Sequence, residues 1–210
     1  VREWISGRGT WTSNPAVNFI TVTFDQEKDR LDPIRLAGRT ARAFLGVRID
    51  CVQCHDDFLG TVELGEPGAR RDGVQQDFHQ LAAFYSGTRV SAAGVRDATD
   101  PYKVQLLGDE DETRLLPAVP FHRDLLPAKG PRRQRLATWV TDPKNRPFAR
   151  VTVNRVWALM FGRPLVEPID SIPLHDELPP GMELLATDFV ENGFDLQRLI
   201  RVIAATRVFG

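Results

Sequence analysis

Cys51 and Cys54 are the only two cysteines of the chain, and His55 follows the second directly in "FLGVRIDCVQCHDDF", residues 44–58. CxxCH is the attachment signature of c-type haem. Each thiol adds to one haem vinyl group as a thioether, and the two-residue spacer lets the backbone bridge both vinyl carbons. The adjacent imidazole then lies against the macrocycle, where a ring nitrogen ligates iron. At spacings i, i+3 and i+4, one helical face presents all three groups. The same residues admit two other chemistries. A local disulfide or redox-active dithiol needs only Cys51 and Cys54. A zinc site needs both with His55 and one further group, such as His79 or Asp57. A disulfide scaffold or a cysteine-rich zinc site would require more thiols than the chain has.

A haem iron takes a sixth ligand from His or Met. His79, His122, Met160, His175 and Met182 are the available groups, and a five-coordinate or water-bound iron is equally open. His79 lies beside the Phe78, Leu81, Tyr85 stripe of its helix and reads as a half-exposed polar neighbour. Arg155 projects into the apolar arc of its own helix, with Arg150 and Asn154 on the outward side. An inward guanidinium needs an anion, because an unpaired buried charge is costly. A salt bridge to Glu167 or Asp170 supplies one, and a haem propionate is the functional alternative. Arg35, Arg39 and Arg42 form a solvated stripe, and Trp139 and Trp157 read as core anchors. Asp56 and Asp57 are adjacent, so on a helix they point apart and do not form an acid/base pair.

The elements that must position these groups are mostly helices. Asp32 is an N-cap with Pro33 at the first helical position. From there Leu36, Thr40, Ala41, Ala43, Phe44 and Val47 fall on one arc, and the three arginines on another. If this helix runs on in register, Cys51, Cys54 and His55 join its apolar arc. Residues 1–31 read as a loop with a short strand, and residues 60–73 as a Gly-rich charged loop. "VQQDFHQLAAFYSG" reads as a helix closed by Gly87, and residues 88–112 as irregular or hairpin structure. "PRRQRLATWVTDP", "RPFARVTVNRVWALMFG", "PGMELLATDFVENG" and "FDLQRLIRVIAATRVF" read as four further helices, the last capped by Asp195. The expected fold class is mainly α: helices with long irregular loops in the N-terminal half, a helical bundle in the C-terminal half. The expected division is 1–110 and 111–210.

With 42% apolar and 26% charged residues and a formal net charge of −1, nothing attracts the chain generally to nucleic acid or an anionic membrane. No apolar run reaches the length of about 18 residues that spans a bilayer. The chain starts at Val1 without an initiator Met and ends after a helical pattern, so it reads as a fragment truncated at both ends. GxSxG, P-loop, Rossmann and HExxH fingerprints are absent, which leaves the question of an enzyme open.

"FLGVRIDCVQCHDDF", "DFHQLAAFYS", "RRQRLATWVTDPKNRPFARVTVNRVWALMFGRPLVEPID" and "DFVENGFDLQRLIRVIAATRVF" occur in this order. This arrangement resembles the paired planctomycete cytochrome-c-like (PSCyt type) and planctomycete-specific (PSD type) domains of large exported proteins. The resemblance implies haem c on Cys51 and Cys54 with His55 as proximal ligand. It also implies a periplasmic or extracellular location, and electron transfer with a redox partner protein or a neighbouring cytochrome module. Two positions depart from that pattern. Relatives read "CHDHPF" where this chain has Asp57, and "NRVWAHFFG" where it has Leu159. The other reading is a non-enzymatic scaffold or docking module with a local disulfide or a Cys/His zinc site.

Overall fold

A computed structural model describes residues 1–25 and 30–208. The chain opens with α1 (Arg2–Ser6), a 3-10 turn at Pro15–Val17 and α2 (Asn18–Thr21). The antiparallel pair β1 (Phe24–Asp25) and β2 (Arg30–Leu31) leads into α3 (Pro33–Thr40). α3 starts as its residues dictate: the Asp32 carboxylate accepts the N–H groups of Ile34 and Arg35, and Pro33 takes the first helical position, where an N–H would have no intrahelical acceptor. Its end differs from the expected continuation. After Thr40 the chain widens into a π-turn at Ala41–Leu45, and Gly46 stops it in the left-handed region at φ 64°. A Cβ there would lie 3.1 Å from the Val151 side chain and 3.2 Å from that of Ile172. Cys51 therefore sits on a separate 3-10 turn, Ile49–Gln53, and Cys54 caps its end.

Between that turn and the C-terminal helices lie three hairpins and one helix. β3 (Glu63–Glu66) and β4 (Ala69–Asp72) pair around a Pro67-Gly68 turn, where a loop was expected. α4 (Gln75–Ala82) follows, shorter than its sequence pattern, which ran to Gly87. β5 (Thr88–Ser91) pairs with β6 (Gly94–Asp97), and β7 (Tyr102–Val104) with β8 (Thr113–Leu115). The expectation of a mainly α fold is thus overturned: 43% helix stands beside 13% strand in four small antiparallel sheets. These strands are short and rich in Glu, Asp, Arg and Gly. They lack the apolar alternation over at least four residues that reveals a strand in sequence.

A 3-10 turn at Arg123–Leu125 precedes α5 (Arg132–Val140), α6 (Arg146–Phe161), α7 (Pro180–Glu191) and α8 (Leu196–Ala204). Gly162 closes α6 at φ 79°, and Asp195 caps α8 by accepting the Arg198 N–H. The last residue of the final expected helix, Phe209, lies outside the described residues. Two apolar clusters fill the molecule. One runs from Ile5 to Phe148 and gathers α1, α3, α4 and α5. The other runs from Ala149 to Ile203 and gathers α6, α7 and α8. α6 passes from the first to the second between Phe148 and Ala149.

Asn154 and Arg150 do not face outward as the helical pattern alone placed them. Asn154 is fully buried, and its amide donates to the Val166 carbonyl (2.8 Å) and accepts the Val166 N–H (3.0 Å). Arg150 donates to the Leu174 carbonyl (3.1 Å) and pairs with Glu183. The segment after α6 folds back over this side of the helix, so a polar stripe becomes an interior one. Among the described residues, no helix is long and apolar enough to cross a membrane.

Candidate functional site

The turn that carries Cys51 and Cys54 is built outward from α3 and α4. Val52 points inward and is buried; Cys51 and Cys54 point out and are exposed, with free thiols. The turn ends at Cys54, and His55 stands on the bend beyond it. The three groups therefore share an exposed surface through a 3-10 turn and a bend, not through one face of an α-helix.

Helix α4 grips the turn from behind. The Gln53 carbonyl, between the two cysteines, accepts from Nε2 of His79 (3.0 Å) and Nε2 of Gln75 (3.1 Å). A carbonyl oxygen only accepts, so the His79 proton sits on Nε2. Nδ1 then accepts from the Tyr102 hydroxyl at 2.7 Å. His79 is 3% exposed, not half-exposed as its helical position implied. Burial pushes its pKa below the ordinary imidazole value, against the opposing bond to Gln53. Burial likewise pushes the Tyr102 hydroxyl up to about 12. His79 is thus a neutral tether at neutral pH. Gln75 also donates its backbone N–H to the Asp56 carboxylate (2.7 Å), so the residue after His55 is tied to the start of α4. Gln75 and His79 stand four apart on one helix face. That i,i+4 pair of hydrogen-bonding side chains on one helix face is the sequence signal for this tether.

α3 and the π-turn that follows it hold the turn from the side. Arg42 donates to the Asp50 carboxylate at 2.7 Å, next to Cys51. Gly38 makes the approach possible: a Cβ on it would lie 2.5 Å from Oδ1 of Asp50. Arg35 and Arg39 are exposed, and Arg39 lies over the Phe19 ring at 5.1 Å.

Asp57 organises the loop beyond the site. It is buried, and its carboxylate accepts from Val62 N (2.5 Å), Leu59 N (3.0 Å) and the Thr61 hydroxyl (3.2 Å). Burial works to raise its pKa, and these bonds together outweigh it, so the carboxyl ends below the ordinary value. Asp57 is a loop clamp whose oxygens face away from solvent. The linkage sign follows. A carboxylate with a lowered folded pKa adds stability that is complete above its unfolded pKa, near 3.9, and lost as pH falls through the folded value. Asp57→Asn places an N–H against the donors it should accept from. It is expected to cost about 2 kcal/mol at pH 7. The gap between variant and wild type should narrow below about pH 3.9; urea unfolding of both proteins at pH 7 and pH 3 measures it, and a gap that stays constant contradicts the assignment.

The front of the site is apolar and open. Phe58 is 81% exposed and Leu59 85% exposed. The Phe58 ring lies nearly parallel to that of His55, with centroids 6.3 Å apart. Nδ1 of His55 lies 2.7 Å from the Asp56 carbonyl. This nitrogen must donate, so in the neutral ring the lone pair is on Nε2.

Arg155 is placed elsewhere. Its guanidinium donates to the backbone carbonyls of Ala43 and Arg42, not to a carboxylate of Glu167 or Asp170. Asp170 instead pairs with Arg48 at 3.0 Å. Arg155 thereby fastens α6 to the π-turn after α3. Burial lowers its pKa, and the charge of Asp170 opposes this from a distance. Of the other candidate ligands, Met182 is fully buried in the second cluster and His79 is used by the tether. Leu159 is 86% exposed on the surface of α6.

No curated protein and no solved structure matches the chain. Over residues 1–131 no cytochrome-like domain is shown. Residues 132–210 match the family model PSD1, described as a protein of unknown function (DUF1553), which supports a planctomycete-type domain of unknown function in that part of the chain.

Proposed function

We propose that Cys51 and Cys54 would hold haem c through two thioethers, with His55 as a ligand to its iron. The chain then acts as an electron-transfer or redox module of a large exported protein, in the periplasm or outside the cell. The observation that carries this reading is the tautomer of His55: Nδ1–H is spent on the Asp56 carbonyl and Nε2 is left free to ligate, beside two exposed free thiols. The residues present suit the group. Attachment adds each S–H across a vinyl C=C, sulfur to one carbon and hydrogen to the other, so the step needs reduced thiols and no oxidant. Phe58 and Leu59 supply the apolar cover that a macrocycle requires, and their exposure has no other partner within the described fold. When bound, the haem iron supplies one-electron redox chemistry. The protein's share is to hold the turn rigid through His79, Gln75 and Asp50, and to fix the ring of His55.

In this reading electrons pass to a redox partner protein or a neighbouring cytochrome module. A propionate contact from Arg155 would compete with its two carbonyl bonds, so its proposed share is to hold α3 and α6 in register rather than to clamp the cofactor.

The test is to export the chain in a host with a haem-attachment system. The expected product keeps one haem per chain after denaturation, and Cys51→Ser with Cys54→Ser abolishes it. A colourless product with two free thiols overturns the reading. A mass lower by the two thiol hydrogens would favour the scaffold reading with a local disulfide, and a stoichiometric zinc ion the Cys/His zinc site.

A further inference from the structure

A second group of donors lies in another part of the fold. Glu66 ends β3, His122 precedes the 3-10 turn Arg123–Leu125, and Asp124 lies within it. One ligand atom from each lies within 4.8 Å of the other two. The Glu66 carboxylate is fixed in place: Oε2 accepts the His122 N–H (2.8 Å) and Oε1 the Arg123 N–H (3.1 Å). Each bond uses one lone pair of its oxygen and leaves another for a ligand. The His122 backbone is held at φ 46° and ψ 50°, a region few non-glycine residues occupy, and its carbonyl accepts the Trp139 indole N–H at 3.1 Å. The His122 ring packs edge-on to Phe121, 5.7 Å between centroids. Neither its ring nitrogens nor the Asp124 carboxylate has a hydrogen-bond partner among the described residues.

His122 opens onto a cleft of about 330 Å³ between the β3–β4 hairpin and the start of α6. Arg70, Arg146, Arg150 and His175 also line it. Arg70 pairs with Asp176 (3.0 Å), and Arg146 and Arg150 share the one carboxylate of Glu183 (3.3 and 2.7 Å). Glu66 and Asp124 supply the negative charge that a cation would meet beside this basic wall.

We propose that Glu66, His122 and Asp124 bind one divalent transition-metal ion. One imidazole and two carboxylates match the charge of such an ion. This nitrogen and oxygen set suits zinc, manganese or ferrous iron. Three protein ligands leave coordination positions open for water or a small anion, and His122 places the site at the edge of the arginine-lined cleft. The site is independent of the thiol turn.

Calorimetric titration with zinc tests this in a Cys51→Ser, Cys54→Ser background, so that the thiols do not compete. One ion per chain is expected. His122→Gly removes the imidazole while suiting the left-handed backbone, and Asp124→Asn removes a charge from an exposed turn. Each should weaken zinc binding at least tenfold. Circular dichroism and thermal unfolding of both variants should show an intact fold. Absence of saturable binding to the background chain overturns the proposal, as does unchanged affinity when both substitutions are combined in a folded protein.

Discussion

Trp139→Ala is expected to cost about 3–5 kcal/mol of unfolding free energy, read as a fall in urea midpoint. The side chain is fully buried and packs against Phe121, with ring centroids 5.1 Å apart. Truncation leaves a void among α5, Phe121 and their neighbours that a close-packed interior fills only in part. It also strips the His122 carbonyl of the indole donor. Trp139→Phe separates these losses. It keeps a six-membered ring in the site and drops the N–H with the rest of the indole, so it should cost less than Trp139→Ala, about 1–3 kcal/mol. A Trp139→Ala protein within about 1 kcal/mol of wild type would mean that the first cluster does not depend on α5.

Arg133→Met is expected to cost about 3 kcal/mol, in the range for removing one partner of a buried ion pair. Arg133 is 1% exposed and lies six residues before Trp139 on the same helix. Nε donates to the Asp97 carboxylate at 2.6 Å, and Nη1 donates to the carbonyls of Ile5 (3.0 Å) and Gly7 (2.9 Å). One side chain thus satisfies the end of α1 and fastens it to β6. Methionine restores the volume but no donor, so two carbonyls and a carboxylate lose a partner. Asp97 keeps its bond to the exposed Arg8 at 2.8 Å, which holds the penalty below that of an orphaned charge. Lysine lacks the planar fork and cannot make all three bonds at once, so Arg133→Lys should recover only part of the loss. The loss should also persist at high salt, since buried pairs are poorly screened. A cost under about 1 kcal/mol, or one that vanishes in salt, would contradict this.

The helices were largely legible because their signals are local. Asp32-Pro33 at the start of α3, Gly162 after α6 and Asp195 before α8 act through the chain's own neighbouring N–H and C=O groups, so the sequence declares them. The β3–β4 hairpin was not legible, whereas β5–β6 falls in residues 88–112, read as irregular or hairpin structure. "ELGE" and "ARRD" owe their pairing to a Pro-Gly turn, and charged side chains hide any period of two. α1 was missed for a similar reason: five residues are too few to show a helical period, and this helix is held by α5 through Arg133. At the candidate site, the thiols and His55 announce themselves by spacing. Their support does not, because the bonds from His79 and Gln75 join residues more than twenty apart in sequence. Asn154 shows the converse error. A periodic pattern assigns faces on the assumption of one buried side, and here a returning segment makes a second.

The family match begins at Arg132, yet α5 contributes its buried face to the cluster that starts at Ile5. A piece cut at that border would carry Trp139, Leu136 and Val140 into water without the surfaces that cover them, and Arg133 without Asp97. Expressed alone, it should clump or be digested up to the first residues of α6, so a boundary drawn by sequence likeness is a poor place to put the scissors.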